Sequence, residues 1–134
     1  MKRQVECLSA KETIEAAAQR MRDRDVGFLP ICDGDGRVLG TLTDRDITVR
    51  CVSEGKPVQT PVADCMTKQV ISCAPDDDVA EAQELMRRHK KSRIMVCEED
   101  GKLVGVISLS DFAQEDGARA ARTLAEVAER EVHP

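Results

Sequence analysis

Apolar positions along the chain follow two patterns, and each pattern occurs twice. Ile14, Ala17, Ala18 and Met21 fall at i, i+3, i+4 and i+7, the spacing of one face of a helix. Val79, Ala82 and Met86 trace the same face again, with Leu85 beside it. Thr13 is placed to cap the first helix, and Asp78 with Glu81 has the spacing of a capping box for the second. The other pattern is a continuous apolar run on either side of a Gly-containing turn. Phe28 to Cys32 and Val38 to Leu42 flank Asp33-Gly34-Asp35-Gly36, and Arg93 to Cys97 and Leu103 to Ile107 flank Glu98 to Gly101. Runs of that length around such turns predict buried hairpins. A short strand is expected ahead of each helix, over Gln4 to Leu8 and Gln69 to Cys73, and a second helix opens at Thr43 and at Ser108. From Gly117 to Val132 a further helix is expected, with a narrow stripe of Ala121, Leu124, Ala125, Ala128 and Val132. That stripe suits packing on its own domain or a contact between subunits.

The doubling is a repeat. Sliding the sequence by 65 positions, without a gap, lays Met1 on Met66, Gln4 on Gln69, Ala17 on Ala82, Met21 on Met86, Cys32 on Cys97, Gly40 on Gly105 and Asp46 on Asp111. The expected organisation is therefore one repeat over residues 1–56, a joining segment over 57–65, a second repeat over 66–116 and a helical extension over 117–134. Each repeat reads β-α-β-β-α. The fold class is α/β (α+β), two units related by pseudo-twofold symmetry.

Composition narrows the function classes. The 134 residues carry 20 basic and 25 acidic side chains, a net charge of −5, and are 41% apolar, which argues against disorder. No apolar run approaches the ~20 residues that span a bilayer. No charged start leads into an apolar segment, so a cytoplasmic location is expected and no membrane partner. Aromatic residues amount to 1%, Phe28 and Phe112 alone, so the core must be aliphatic and the stacking platforms of single-strand nucleic-acid binders are missing. Nucleic acid is not an expected partner. Cys7, Cys32, Cys51, Cys65, Cys73 and Cys97 form no C-x-x-C pair, and His89 and His133 are the only histidines. No paired zinc-ligand spacing is visible. The cysteines are expected to be reduced thiols, mostly in the core, and His89 to be exposed.

Both repeats carry G-x-x-[TS]-x-x-D where a strand gives way to a helix: Gly40-Thr41-Leu42-Thr43-Asp44-Arg45-Asp46 and Gly105-Val106-Ile107-Ser108-Leu109-Ser110-Asp111. A hydroxyl three residues before a carboxylate is a helix capping box. The same geometry also suits a ligand. A helix start exposes unpaired N–H groups that attract phosphate. A hydroxyl there can donate to phosphate or sugar, and a carboxylate one turn on can accept the hydroxyls of a ribose, as acidic residues do in dinucleotide folds. Two such corners related by pseudo-symmetry would line a shared cleft.

With these motifs the chain resembles a tandem pair of CBS domains, a Bateman module. Phe28-Leu29-Pro30-Ile31-Cys32-Asp33 and Arg93-Ile94-Met95-Val96-Cys97 resemble the family's second-strand signature, with Met95 where Pro is usual. Val62-Ala63-Asp64-Cys65-Met66-Thr67 resembles the segment that leads into a repeat. The likeness runs to about Ala113 and is greatest to small stand-alone bacterial members. It implies a non-catalytic regulatory sensor that binds AMP, ADP, ATP or S-adenosylmethionine and needs no cofactor. It places Thr43 and Ser108 near phosphate or ribose, Asp46 and Asp111 on the ribose hydroxyls, and the base between Val5, Glu6 and Cys7 or between Val70, Ile71 and Ser72. Apolar Ile71 suits a base better than charged Glu6, which favours the site using Ile71. The resemblance also implies a homodimer and a regulated protein partner.

Arg87-Arg88-His89-Lys90-Lys91-Ser92-Arg93 is the one basic cluster, either a solvated helix end or a polyphosphate clamp led by Arg93. Arg45, inside the first motif, is a second phosphate candidate; Ser110 replaces it in the other copy. Cys32 and Cys97 are equivalent positions, which leaves a thiol- or metal-linked sensor as the alternative on this fold, beside a ligand-free interaction module. No nucleophile-and-base set, P-loop or zinc-protease motif stands out, so no enzyme is expected.

Overall fold

The computed structural model describes residues 6–109, and these divide into two compact units, residues 6–70 and the residues from Ile71 onward. In the first, β1 (Leu8–Ser9) is followed by α1 (Ile14–Arg24), β2 (Phe28–Cys32), β3 (Val38–Thr43) and α2 (Asp44–Ile47), whose chain continues as a wider π-helical turn over Thr48–Val52. In the second, β4 (Ser72–Cys73), α3 (Val79–His89), β5 (Arg93–Cys97) and β6 (Leu103–Ser108) follow the same order. Each unit has one three-stranded sheet, β1-β2-β3 or β4-β5-β6, with the first pair parallel and the second antiparallel. The parallel pair is what a helix between two strands produces, and the antiparallel pair is the predicted hairpin. Both hairpins slip register at the same place, between Ile31 and Cys32 and between Val96 and Cys97. Both turns close on a glycine at positive φ, Gly36 (87°) and Gly101 (92°), where a side chain would be strained.

The apolar helix faces lie on the sheets. Leu8, Ile14, Ala17, Met21, Leu29, Ile31 and Leu42 form the first core, and Cys73, Val79, Ala82, Met86, Ile94, Val96 and Ile107 the second. The cores are aliphatic, as the composition requires. Thr13 caps α1, its hydroxyl accepting the Ala16 N–H at 3.1 Å. Both long helices end on a left-handed residue with φ of 55°, Asp25 and Lys90, which turns the chain back toward the next strand.

Three expectations need correction. The first strands are displaced: among the described residues the first covers Leu8–Ser9 and leaves out Glu6 and Cys7, and the second covers Ser72–Cys73, not Gln69 to Cys73. Asp78 stands at the start of α3 but its side chain makes no capping bond; the neighbouring Asp77 carboxylate instead accepts the Ala74 N–H at 2.9 Å, closing the turn before the helix. His89 is half-buried, not exposed. Residues 57–65 pack against the first unit. Thr60 and Val58 carbonyls accept the N–H groups of Ile14 and Glu15, and Val62 and Cys65 are buried in its core. Val5, Asp111, Phe112 and the helix expected over 117–134 lie outside the described residues. Among the described residues no helix is long and apolar enough to cross a membrane.

Candidate functional site

The first G-x-x-T-x-x-D segment forms a tight corner. Thr43 is extended (φ −114°, ψ 164°), and its Oγ1 accepts the Asp46 N–H at 3.0 Å while Asp46 Oδ2 accepts the Thr43 N–H at 2.9 Å. The capping box is thus complete. It leaves part of both side chains uncommitted. The cap does not use the Thr43 hydroxyl proton, and it occupies one of two carboxylate oxygens. Asp46 Oδ1 is held loosely, 3.4 Å from the Thr67 hydroxyl and 3.9 Å from Arg50 Nε. A carboxylate has about four acceptor sites, so capping and ligand binding are compatible at Asp46. Arg45 follows on α2 with an exposed side chain.

Gly40 has a reason the sequence does not display. A Cβ there would lie 2.5 Å from the Thr67 carbonyl oxygen. Thr41 and Thr67 exchange N–H···O bonds of 2.9 and 2.8 Å beside it, pinning the chain after the joining segment to the β3 edge. Gly27 is similar: a Cβ would lie 2.8 Å from Asp44 Oδ2, where the Gly27 carbonyl accepts the Asp44 N–H.

In the second unit Ser108 ends β6, buried, directly across from Arg93 at the exposed start of β5. Ile71 is half-buried against the core, its carbonyl accepting the Met95 N–H at 3.1 Å, and exposed Ser72 is the cross-strand partner of Met95. Thr43 with Asp46, Arg93 with Ser108, and Ile71 and Ser72 with Met95 are therefore brought together within their units. The basic cluster does something different. Arg87, Lys90, Lys91 and Ser92 line an open recess of about 590 Å³ with Gln83, Met86 and Leu109, and Arg93 is not among its lining residues.

Two features escaped the sequence reading. Glu6 carries no free charge: its Oε1 is 2.8 Å from Arg24 Nε and 3.5 Å from Arg20 Nη1, which ties the lead-in segment to α1. That oxygen is closed off from water with no aligned N–H, so the tie is ionic and not a formed hydrogen bond. Arg20 and Arg24 sit one turn apart on α1, but nothing local in sequence points them at Glu6. The second feature is a difference between two thiols, Cys7 and Cys73. The Cys7 thiol is held below its ordinary value by the Cys32 side chain, against the opposing effects of burial and the Glu6 charge. All six cysteines are free, and five are buried. Cys73 behaves oppositely: burial, then the charges of Asp77 and Glu81 and the neighbouring Cys97, push its thiol up to about 11. Among the described residues no three His, Cys, Asp or Glu side chains group closely enough to hold a metal ion.

Known proteins share this arrangement. The CBS protein YhcV of Bacillus subtilis is 33% identical over 135 residues, covering 99% of this chain and 95% of its own. Hypoxic response protein 1 of Mycobacterium tuberculosis is 36% identical over 111 residues, covering 82% and 77%. A crystal structure of Hypoxic Response Protein I with two coordinated zinc ions matches with a TM-score of 0.76 and 33% identity, covering 85% of this chain and 93% of that one. The CBS-domain protein PAE2072 of Pyrobaculum aerophilum, solved with AMP, matches with a TM-score of 0.76 and 29% identity, covering 87% and 88%. A CBS-domain family model matches residues 1–52 and again 62–117. Two matched segments, two sheets of one topology and one motif at two strand ends have a single explanation: the chain belongs to the CBS-domain family and carries the domain twice.

Proposed function

We propose that this CBS pair is a non-catalytic sensor that binds an adenosine nucleotide, AMP in the first instance, through the hydroxyl-and-carboxylate corners of its repeats. The observation that carries the reading is the Thr43–Asp46 corner. It is rigidly built by its own cap, yet keeps a hydroxyl proton and a carboxylate oxygen for a ligand. In this reading Asp46 Oδ1 takes a ribose hydroxyl in place of its long contact to Thr67, and Thr43 donates to phosphate or sugar. Ser108 and Asp111 do the same in the second repeat. Ile71 and Ser72 border the base, and Arg93 and Arg45 face phosphate. The Pyrobaculum relative solved with AMP supports the ligand class. ADP, ATP and S-adenosylmethionine are the other candidates. The protein works as a homodimer in the cytoplasm, and ligand binding alters a regulated partner by favouring one arrangement of the module over another.

Calorimetric titration tests this. AMP binds saturably to the native chain, and Asp46→Asn combined with Asp111→Asn weakens it about tenfold or more, the worth of charged hydrogen bonds at the ribose. Asn keeps an acceptor for the Thr43 N–H, so the corner still folds. Unchanged AMP affinity in that double variant, or no heat with any of the four ligands, overturns the reading.

A further inference from the structure

The two repeats end their long helices with one backbone shape and opposite chemistry. In the first, Arg22-Asp23-Arg24-Asp25 alternates in sign and is largely neutralised: Arg22 pairs with Asp23 at 2.8 Å and Arg24 with Glu6 at 2.8 Å. In the second, Arg87-Arg88-His89-Lys90-Lys91 holds no acidic side chain. Arg87 pairs with Glu84 at 3.0 Å, one turn back, while Lys90 and Lys91 form no ion pair among the described residues. A chain with a net charge of −5 thus keeps unneutralised cations in one place. Lys90 stands there against backbone preference. Its φ of 55° is the left-handed conformation that Asp25 adopts in the first repeat, and Asp, Asn and Gly take it more readily than Lys. Lysine at this position gives up local stability and gains a charge. The surroundings are also partly apolar. Arg87, Lys90 and Lys91 line the open recess of about 590 Å³ together with buried Met86 and with Leu109, which is 55% exposed and replaces Asp44 of the first repeat.

We propose that this recess docks an acidic segment of a partner protein, with its carboxylates on Arg87, Lys90 and Lys91 and one apolar side chain against Leu109 and Met86. The combination of groups selects that partner. Guanidinium and ammonium groups attract carboxylate and phosphate alike. A polyphosphate makes no use of an exposed leucine, and no aromatic side chain is among the described lining residues to stack a base of a nucleic-acid strand. An acidic segment with an apolar anchor uses both the cations and the leucine. The dipole of α3 accounts for cations near its end, but not for lysine at a left-handed position or for leucine in the place of Asp44. The first repeat, with Asp25 and Asp44 at these places, repels the same segment, so only the second repeat docks it. None of this depends on nucleotide binding.

The test is the fluorescence anisotropy of a labelled peptide of glutamate and aspartate with a single central leucine, titrated with the full chain. Saturable binding that weakens as salt rises is the expected result. Lys90→Asp combined with Lys91→Gln weakens it about tenfold or more. Lys90→Asp alone installs the residue that the first repeat uses at this backbone angle, so its melting temperature equals or exceeds that of the native chain while its peptide affinity falls. A lysine with a structural role alone would lower the melting temperature. Leu109→Ser weakens binding of the leucine peptide and leaves that of a serine-substituted peptide unchanged. No saturable binding of the acidic peptide, native affinity in the double variant, equal affinity of the native chain for the leucine and serine peptides, or displacement of the bound peptide by equal concentrations of tripolyphosphate or single-stranded DNA would each overturn the proposal.

Discussion

The two repeats lay the same short strand on the same partner but begin the ladder one residue apart, at Leu8 in one and Ser72 in the other. One residue type, Pro30 against Met95, accounts for the shift through a single N–H. The differences spread outward from there. Glu6, where the second repeat has Ile71, is drawn to Arg20 and Arg24 instead of lying apolar beside the sheet. Cys7 stands off the ladder, whereas Ser72 is in register with Met95. Two copies with one topology thus hold different chemistry at matching positions. The comparison also supports Ile71 over Glu6 as the neighbour of a base, since Glu6 is already committed to two guanidinium groups.

Backbone packing gives the largest expected break in the symmetry. Gly40→Ala forces a Cβ onto the Thr67 carbonyl at 2.5 Å and should destabilise the first unit by about 1–3 kcal/mol. Gly34→Ala, whose Cβ meets nothing within 4 Å, should stay within about 0.5 kcal/mol of wild type. Urea unfolding of both variants measures the contrast, and equal effects would remove the close approach of Thr67 as the reason for Gly40. Helix starts give the next effect. Thr13→Ala removes a formed cap and should cost about 1 kcal/mol, while Asp78→Ala at the matching place removes no bond and should cost only a few tenths. A cost at Asp78 equal to that at Thr13 would show that α3 is capped after all.

The smallest effect lies in alkali. The Cys73 thiol is pushed up to about 11 from an ordinary 9.0, so between those values the unfolded chain binds fewer protons than the folded one. Stability of the second unit therefore falls as pH rises from 9 toward 11. Leu8 holds the equivalent place in the first unit and does not titrate. Cys73→Val should flatten the decline of the calorimetric melting temperature over that interval. An equally steep decline in the variant would assign it to other groups.

Much of the fold was legible because each signal was local. The i, i+3, i+4, i+7 stripes fixed the helix faces, the Gly turns fixed the hairpins, and the repeat doubled the weight of both. The motif corner was legible for the same reason, since Thr43 and Asp46 are three residues apart and their mutual bonds are a property of that spacing. What was missed is one local choice of side chain and otherwise a set of distant partners. The Asp78–Glu81 spacing suited a capping box, but the side chain that bonds at this turn is Asp77, whose carboxylate closes onto Ala74. The reason for Gly40 lies in Thr67, and the partners of Glu6 lie on a helix it precedes. The one-residue shift of the first ladder follows from Pro30, which has no N–H to give and lies on a strand distant in sequence from the segment it displaces.

Amide chemical-shift mapping of AMP binding tests the central claim most directly. Saturable shifts greatest at Thr43 to Asp46 and at Gly105 to Leu109 are the predicted result. Shifts confined to the basic recess at the end of α3, or none at saturating AMP, would contradict it.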